Sequence, residues 1–299
     1  MMANTVHLFL NPTAGRGRAG RRQTRIVELL EDSGITVALH ASRSRGDLEA
    51  SVLRHVERGV TQVIVAGGDG SIHEAVNGIL QSSGDAALGV IPTGTGNDFA
   101  KSCNIPLNWE YATRLLVERI VAGEAPRKID VGRFNDRFFA NGAGVGFDAK
   151  ATHAKESICL PIGNLVYLLA ILKTMIGGIA SPHLDIRSDD FSWEGPVTLA
   201  SINNGSWVGG IFHMAPMANN ADGQLELLIA KPVTRRRILS LLPKLMNGKH
   251  INEPEITHKG ITRLSIKVEI PIPAQLDGEV QAPQTKFELE ILPNALDLL

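Results

Sequence analysis

Short apolar runs rich in β-branched residues punctuate the first half of the chain, at 6–10, 35–40, 63–66 and 88–91. Such runs read as buried strands. Stretches with helical character lie between them at 20–32, 47–58 and 72–80, and another follows at 109–121. Gly34 stands just past the first of these, where glycine favours a helix C-terminus. Strand alternating with helix predicts a parallel, doubly wound α/β sheet. Ligands of such sheets gather beyond the carboxyl ends of the strands. The loops at 11–17, 42–46, 67–71 and 92–98 lie at those ends and should converge on one cleft. After Glu124-Ala125-Pro126 the texture changes. Runs at 129–134 and 137–140 flank Asn135-Asp136 as a hairpin, and runs at 184–187, 197–202, 225–230, 264–268 and 287–292 are spaced as in an antiparallel β domain. The expected division is an α/β domain over 1–128 and a β-rich domain over 129–292.

Two helical stretches interrupt the second half. The one at 160–180 is strongly apolar, but Pro161, Asn164, Lys173 and Gly177-Gly178 break it. A membrane span needs about 20 mostly apolar residues with few charges, so this stretch reads as a helix packed on the β domain or lining an apolar cleft. The other, at 234–248, sets Arg235, Arg236, Arg237 and Lys244 beside Ile238, Leu239, Leu241, Leu242, Leu245 and Met246. Its pattern suits an anionic membrane surface and a core-packed helix with solvated arginines equally well.

Composition narrows the classes. With 43% hydrophobic and 20% charged residues the chain is globular, and its 299 residues accommodate two domains. A net charge of -1 gives no whole-chain attraction to nucleic acid. Two cysteines, Cys103 and Cys159, provide neither a disulfide framework nor a zinc cluster and fit a reducing compartment. The polar start at 1–5 does not lead a signal peptide.

The chemistry centres on 63–71. An apolar strand breaks into Gly67-Gly68-Asp69-Gly70, followed by Ser71, with Glu74 three residues on, the spacing of a capping box. Glycines between a strand and a helix N-terminus suit phosphate, because free N–H groups point outward and the helix dipole favours negative charge. Asp69 would repel phosphates unless it handles a cation or a proton, which suggests metal-assisted phosphoryl transfer. The loop at 11–17 resembles a phosphate-binding turn but lacks the Walker A ending. Arg16, Arg18, Arg21 and Arg22 beside it either screen phosphate charge or form an exposed helix face. Gly142-Ala143-Gly144-Val145-Gly146 has the wrong spacing and context for a dinucleotide fingerprint. Asp98, Asp130, Asp222 and Glu279 are further carboxylates in suggestive contexts, though Asp-Gly alone is usually a turn.

The ordered set resembles the diacylglycerol kinase catalytic-domain family, with its bacterial diacylglycerol kinases and YegS-like lipid kinases. The residues that carry the resemblance are Asn-Pro-x-x-Gly at Asn11, Gly-Gly-Asp-Gly at Gly67, Pro-x-Gly-Thr-x-Asn-Asp at Pro92, Asp-Gly at Asp222 and Leu-Asp-Gly-Glu at Leu276. It implies an α/β nucleotide-binding domain followed by a β-sandwich-like domain, with ATP in the cleft between and the tail 293–299 returning to the first domain. It implies transfer of the ATP γ-phosphate to a lipid hydroxyl with Mg2+. By the resemblance Asn11, Ser42, Gly67, Gly68, Asp69, Gly70, Ser71 and Thr95 contact nucleotide. Ser42 and Ser71 replace a frequent threonine and keep its hydroxyl. Asp69 and Asp98 match acidic positions near the catalytic magnesium, and Asp130 a supporting one. Asp222 matches a second metal site with main-chain oxygens of Asn219 and Gln224, and Glu279 the proton acceptor. The expected partners are ATP, a lipid and a peripheral membrane surface, in the cytoplasm, without nucleic acid; oligomer formation stays open. The competing readings are a soluble kinase like NAD kinase or phosphofructokinase, which share Gly-Gly-Asp-Gly, and a non-catalytic nucleotide-sensing protein that docks to membranes.

Overall fold

Strands buried on both faces should be apolar throughout, and strands at an edge should not. In a computed structural model of the chain, describing residues 5–156, 158, 163 and 165–299, the first sheet follows that rule. Met1–Asn4, Cys159, Leu160, Pro161 and Asn164, which carry parts of the leader, cysteine and apolar-helix expectations, lie outside the described residues. Central strands β1 (Thr5–Leu10), β3 (Gln62–Gly67) and β4 (Ala87–Pro92) are mostly or wholly buried, whereas β2 (Thr36–Ala41) is an edge with its side chains partly exposed. The order is β2-β1-β3-β4, all parallel.

The connecting helices are α1 (Ala14–Glu31), α2 (Asp47–Glu57), α3 (Asp69–Gln81), the short α4 (Asp98–Ser102) and α5 (Trp109–Ala122). Val6, Leu8 and Leu10 share one cluster with Ile26 and Leu30 of α1 and Leu116, Val117 and Ile120 of α5. On the other face of β1, His7 and Phe9 meet His55 of α2. The sheet is therefore wound on both sides. Asn108 begins α5 by accepting from the N–H groups of Glu110 and Tyr111 at 3.1 and 3.0 Å, and Gly123 at φ 66° ends it.

The chain divides into two units, Met1–Ile129 with Asn294–Leu299, and Asp130–Pro293. The second unit uses β5 (Arg127–Phe134), β6 (Arg137–Phe139), β7 (Gly142–Gly146), α6 (Phe147–Glu156), α7 (Leu165–Ile176), β8 (His183–Arg187), β9 (Ser192–Pro196), β10 (Leu199–Asn203), β11 (Trp207–Val208), β12 (Phe212–His213), β13 (Leu225–Ala230), α8 (Arg235–Met246), β14 (Ile256–Ile261), β15 (Arg263–Ile272), β16 (Ala274–Leu276), β17 (Glu279–Val280) and β18 (Gln284–Leu298). One antiparallel sheet runs β14-β13-β10-β7-β16-β17. Another joins β18, β15, β8 and β9, with β5 on β18 and β6 on β5. Leu184, Ile266 and Phe287 of the latter share a core with Val145, Ile202 and Leu227 of the former, so the two sheets form a sandwich. The end of β18 belongs to the first unit, where Asp297 and Leu298 lie parallel to Ala87 and Leu88 of β4.

Several local expectations are met or refined. The glycine-rich 142–146 segment is a wholly buried strand, β7, between β10 and β16. A Cβ on Gly146 would lie 2.9 Å from the Thr198 carbonyl oxygen, so bulk is excluded there. The apolar stretch ends in α7, whose Tyr167, Ile171 and Met175 pack with Phe212 and with Ile238 and Leu242 of α8. No helix among the described residues is long and apolar enough to cross a membrane. In α8, Arg237 is not a freely solvated cation: its guanidinium pairs with Glu255 at 2.8 Å and Glu253 at 2.5 Å, and Lys244 also reaches Glu253.

Candidate active site

The order β2-β1-β3-β4 reverses direction between β1 and β3, the switch point at which open α/β sheets bind ligands. Asn11 follows β1 and Gly67 ends β3, so both stand at that point; the Asn11 N–H donates to the Ala66 carbonyl at 3.4 Å. The Asn11 side-chain oxygen accepts from the Thr13 N–H and hydroxyl at 3.0 and 2.8 Å, which fixes the turn. Gly15, Arg16 and Gly17 then take φ values of 59°, 62° and 79°, so the regular part of α1 starts after them. Ser42 follows β2, its N–H bonded to Leu10 at the end of β1 at 2.9 Å.

The loops after β1, β3 and β4 interlock through their backbones. Gly67 accepts from the Thr93 and Gly94 N–H groups at 2.9 and 3.2 Å. A Cβ on Gly15 would lie 2.2 Å from the Thr93 carbonyl oxygen, and one on Gly94 would lie 2.4 Å from the Gly68 Cα. A Cβ on Gly68 would in turn meet the Gly94 Cα at 3.0 Å. Gly68 thus holds two loops together, a need not visible in the motif, and a bulky replacement there would disturb the loops themselves. Arg18 fastens the assembly, donating to the carbonyls of Gly15 at 2.9 Å and Gly94 at 2.8 Å and to the Thr95 hydroxyl at 3.3 Å.

Gly68 is also the N-cap of α3, and Asp69, Gly70 and Ser71 form its first turn. The Ser71–Glu74 capping box is not formed. Glu74 Oε2 instead accepts from the Leu48 and Glu49 N–H groups at 3.1 and 3.2 Å, capping the neighbouring α2. Asp69 Oδ1 accepts from the Phe99 N–H at 3.1 Å, and Asp98 Oδ1 pairs with Lys101 at 3.3 Å. The second oxygens of both carboxylates face Gly96: a Cβ there would be 2.8 Å from Asp69 Oδ2 and 3.4 Å from Asp98 Oδ2. Two convergent hard oxygens beside glycine-lined backbone suit a hard divalent cation. Close by, the buried Thr93 Oγ1 and Asn97 Oδ1 have no hydrogen-bond partner. Buried polar atoms are rarely left so, and a ligand or water is the usual explanation. Thr93 did not stand out in sequence and Asn97 did so only as a member of the Pro92 motif, since only the fold shows their burial.

The other predicted residues lie in the second unit. Asp130 is 1% exposed; its Oδ2 accepts from the Gly223 N–H at 2.7 Å and its own N–H donates to the Asn220 carbonyl at 2.7 Å. It therefore shapes the 220–224 loop. Asn204, a residue sequence reasoning missed, anchors Asp130 further by donating to its carbonyl at 2.7 Å and to that of Ala140 at 2.8 Å. Asp222 and Gln224 are exposed, as is Asn219, and Asp222 Oδ1 accepts from the Gln224 N–H at 3.0 Å.

Glu279 begins β17 and is directly opposite Leu276. Asp277 and Gly278 make the two-residue turn, with φ values of 49° and 87°, as a type I′ hairpin requires. Asp277, also missed as a site residue, clamps this turn. Its carboxylate accepts from the N–H groups of Ala140, Asn141 and Gly142 at 3.0, 2.9 and 2.9 Å. A groove of about 320 Å³ in the same unit is lined mainly by apolar groups, including Ala180, Pro182, Val268, Ile270 and Ile272, with Lys150 at its wall.

Comparison with known proteins agrees with these motifs. Residues 5–134 match the diacylglycerol kinase catalytic domain, and residues 142–299 match the YegS C-terminal NAD kinase beta sandwich-like domain. The chain is 29% identical over 273 residues to the diacylglycerol kinase of Bacillus subtilis, covering 91% of this chain and 88% of that protein. It is 33% identical over 292 residues to the probable lipid kinase YegS-like protein of Serratia proteamaculans, covering 95% of this chain and 90% of the relative. The crystal structure of a diacylglycerol kinase from Bacillus anthracis shares the fold, with a TM-score of 0.74 at 23% identity, covering 100% of this chain and 97% of that one.

Proposed function

This chain belongs to the diacylglycerol kinase and YegS-like lipid kinase family, and from that premise we propose that it transfers the γ-phosphate of ATP to a lipid hydroxyl, with diacylglycerol or a related lipid as acceptor, in a magnesium-dependent reaction. The observation that carries the reading is the interlocked set of loops at the sheet switch point, with the Asp69 and Asp98 oxygens turned toward Gly96. In this reading Asn11, Ser42, the 67–71 turn and Thr95 hold the nucleotide. The α3 N-terminus offers N–H groups to its phosphates. Mg2+, when bound, neutralises charge on the transferring phosphate; Asp69 and Asp98 would hold it. Asp222, with main-chain oxygens of Asn219 and Gln224, would hold a second, structural ion, and Asp130 sets the shape of that loop.

Glu279 is assigned the proton of the lipid hydroxyl. A positioned carboxylate can orient an alcohol and accept its proton as the new P–O bond forms. The competing assignment makes Asp69 the base and Glu279 a metal ligand. The apolar groove beside Ile270 and Ile272 suits an acyl chain better than a sugar or dinucleotide. We place the protein in the cytoplasm, meeting its lipid at a membrane surface. The test is incubation with ATP labelled in its γ-phosphate and a total lipid extract, with products identified by mass. Label in a phosphorylated lipid supports the reading. Label in added NAD or fructose 6-phosphate, with none in lipid, moves the protein to the soluble-kinase alternative.

A further inference from the structure

We infer that His7, His40 and His55 form a three-imidazole site for a late first-row divalent metal of the zinc class, on the face of the first unit's sheet covered by α2 and apart from the carboxylate pair at Gly96. One ring nitrogen from each lies within 4.8 Å of the others, and these are the only such His, Cys, Asp or Glu group of three among the described residues. The residues come from β1, β2 and α2, so nothing in local sequence brings them together. Parallel pairing sets Phe9 opposite His40, which places the His40 ring on the face of β1 that carries His7 and Phe9. The ring centroids of His40 and His55 are 4.1 Å apart, and those of His7 and His40 5.2 Å.

Zinc–nitrogen bonds of about 2.0–2.1 Å in a tetrahedron put ligand nitrogens about 3.3 Å apart. His7 Nδ1 and His40 Nε2 are already 3.0 Å apart. The 4.8 Å limit on the widest pair leaves at most about 1.5 Å to close (4.8 less 3.3), within reach of imidazole rotation. His55 Nδ1 lies 2.7 Å from the Ser51 carbonyl oxygen. Donation there places the proton on Nδ1 and leaves Nε2 as the His55 nitrogen with a lone pair to give, the arrangement that orients metal-bound histidines elsewhere. Phe9 stacks on His40 at 4.8 Å and supplies an apolar wall. All three histidines are partly exposed, so an ion has a way in. Imidazoles favour zinc, copper, nickel and cobalt over magnesium, so the site would not compete for the nucleotide's cation. His7 lies four residues before Asn11 and His40 two before Ser42. A bound ion would pin β1, β2 and α2 below the loops that carry those residues.

The test uses the full chain, stripped of metal and without nucleotide. Zinc is titrated against a chromophoric chelator, and thermal unfolding is followed with and without zinc. The expectation is one zinc per chain and a raised Tm in wild type. In His40→Gln and His55→Gln, zinc affinity should fall by about 100-fold or more, since even an outer partner of a ligand is worth 10–100-fold, and the Tm rise should vanish. Equal affinity in wild type and both variants overturns the site, as does the absence of stoichiometric binding. Should a variant fail to fold, 15N imidazole spectra of wild type decide. Shifts confined to three histidines, with Nε2 of His55 among the affected nitrogens, support the site; shifts spread over other histidines, or none, refute it.

Discussion

Removing the Asp277 carboxylate should loosen the hairpin that carries Glu279. Asp277 accepts three backbone N–H groups, from Ala140, Asn141 and Gly142, at 2.9–3.0 Å. All three donor residues are buried, which raises the cost of leaving their N–H groups without an acceptor. A hydrogen bond to a charged group is worth about 1.5–3 kcal/mol, and a buried donor left unpaired costs about 1–3 kcal/mol. Asp277→Ala strips all three bonds at once and should cost roughly 3–5 kcal/mol, allowing for partial relaxation of the loop. Asp277→Asn can keep the two bonds to Asn141 and Gly142 through its carbonyl oxygen, but it sets an NH2 against the Ala140 N–H. That loss is roughly 1–2 kcal/mol, or roughly 2–8 °C in Tm for a unit of this size. Urea and thermal unfolding measure the stability. Amide exchange at 140–142 measures the clamp itself and should speed up in both variants. If Asp277→Ala melts with wild type and its 140–142 amides exchange no faster, the carboxylate holds nothing and the clamp is refuted.

Gly94→Ala places a Cβ 2.4 Å from the Gly68 Cα and forces two loops apart by about 1 Å; a displacement of that size can cost up to about 100-fold in rate, so ATP KM and kcat should both suffer while lipid KM does not. Asp222→Ala should abolish the rise in Tm that Mg2+ gives wild type; an identical rise in both proteins reduces Asp222 to an ordinary Asx turn. Lys244 and then Arg237 hold Glu253 below the usual carboxylate range, and Arg237 does the same for Glu255. Their contribution to stability is full above the unfolded carboxylate value near 4.5 and is lost as pH falls through the lower folded values. Arg237→Gln should therefore flatten the acid limb of the Tm–pH profile. Because Arg237 is already paired, it should leave binding to anionic vesicles intact, whereas Arg235→Gln with Arg236→Gln weakens it if α8 docks there. An unchanged acid limb in Arg237→Gln would show that the cluster is idle.

The sequence made the first sheet legible because its strands are buried on both faces and announce themselves as apolar runs, as at 63–66 and 88–91. The second unit was readable as antiparallel strands, but β7 was not, since Gly142, Gly144 and Gly146 carry no side-chain signal. The glycine turn was visible as a phosphate-type loop, yet one reason for Gly68 is the approach of Gly94 from another strand. Glu74 has the spacing of a cap for its own helix, and tertiary contact turns it to the start of α2 instead. Arg18, Asn204 and Asp277 hold loops distant in sequence, and no local pattern marks such partners. Thr93 and Asn97 became candidates only through burial without hydrogen-bond partners. The three histidines are spread over 49 positions and meet only through strand pairing and helix packing.

The central claim divides the chemistry, with nucleotide and metal handled by Asp69 and Asp98 and the lipid proton accepted by Glu279. Single-turnover transfer by Glu279→Gln, measured beside its affinity for ATP and magnesium, tests that division most directly. Glutamine keeps the size of the side chain and its hydrogen bonding but does not take the proton. Phosphoryl transfer to lipid should fall by about 100-fold or more, the scale of general base catalysis, with ATP and magnesium affinity near wild type. Transfer at the wild-type rate, or loss of magnesium affinity in step with the loss of transfer, would contradict it.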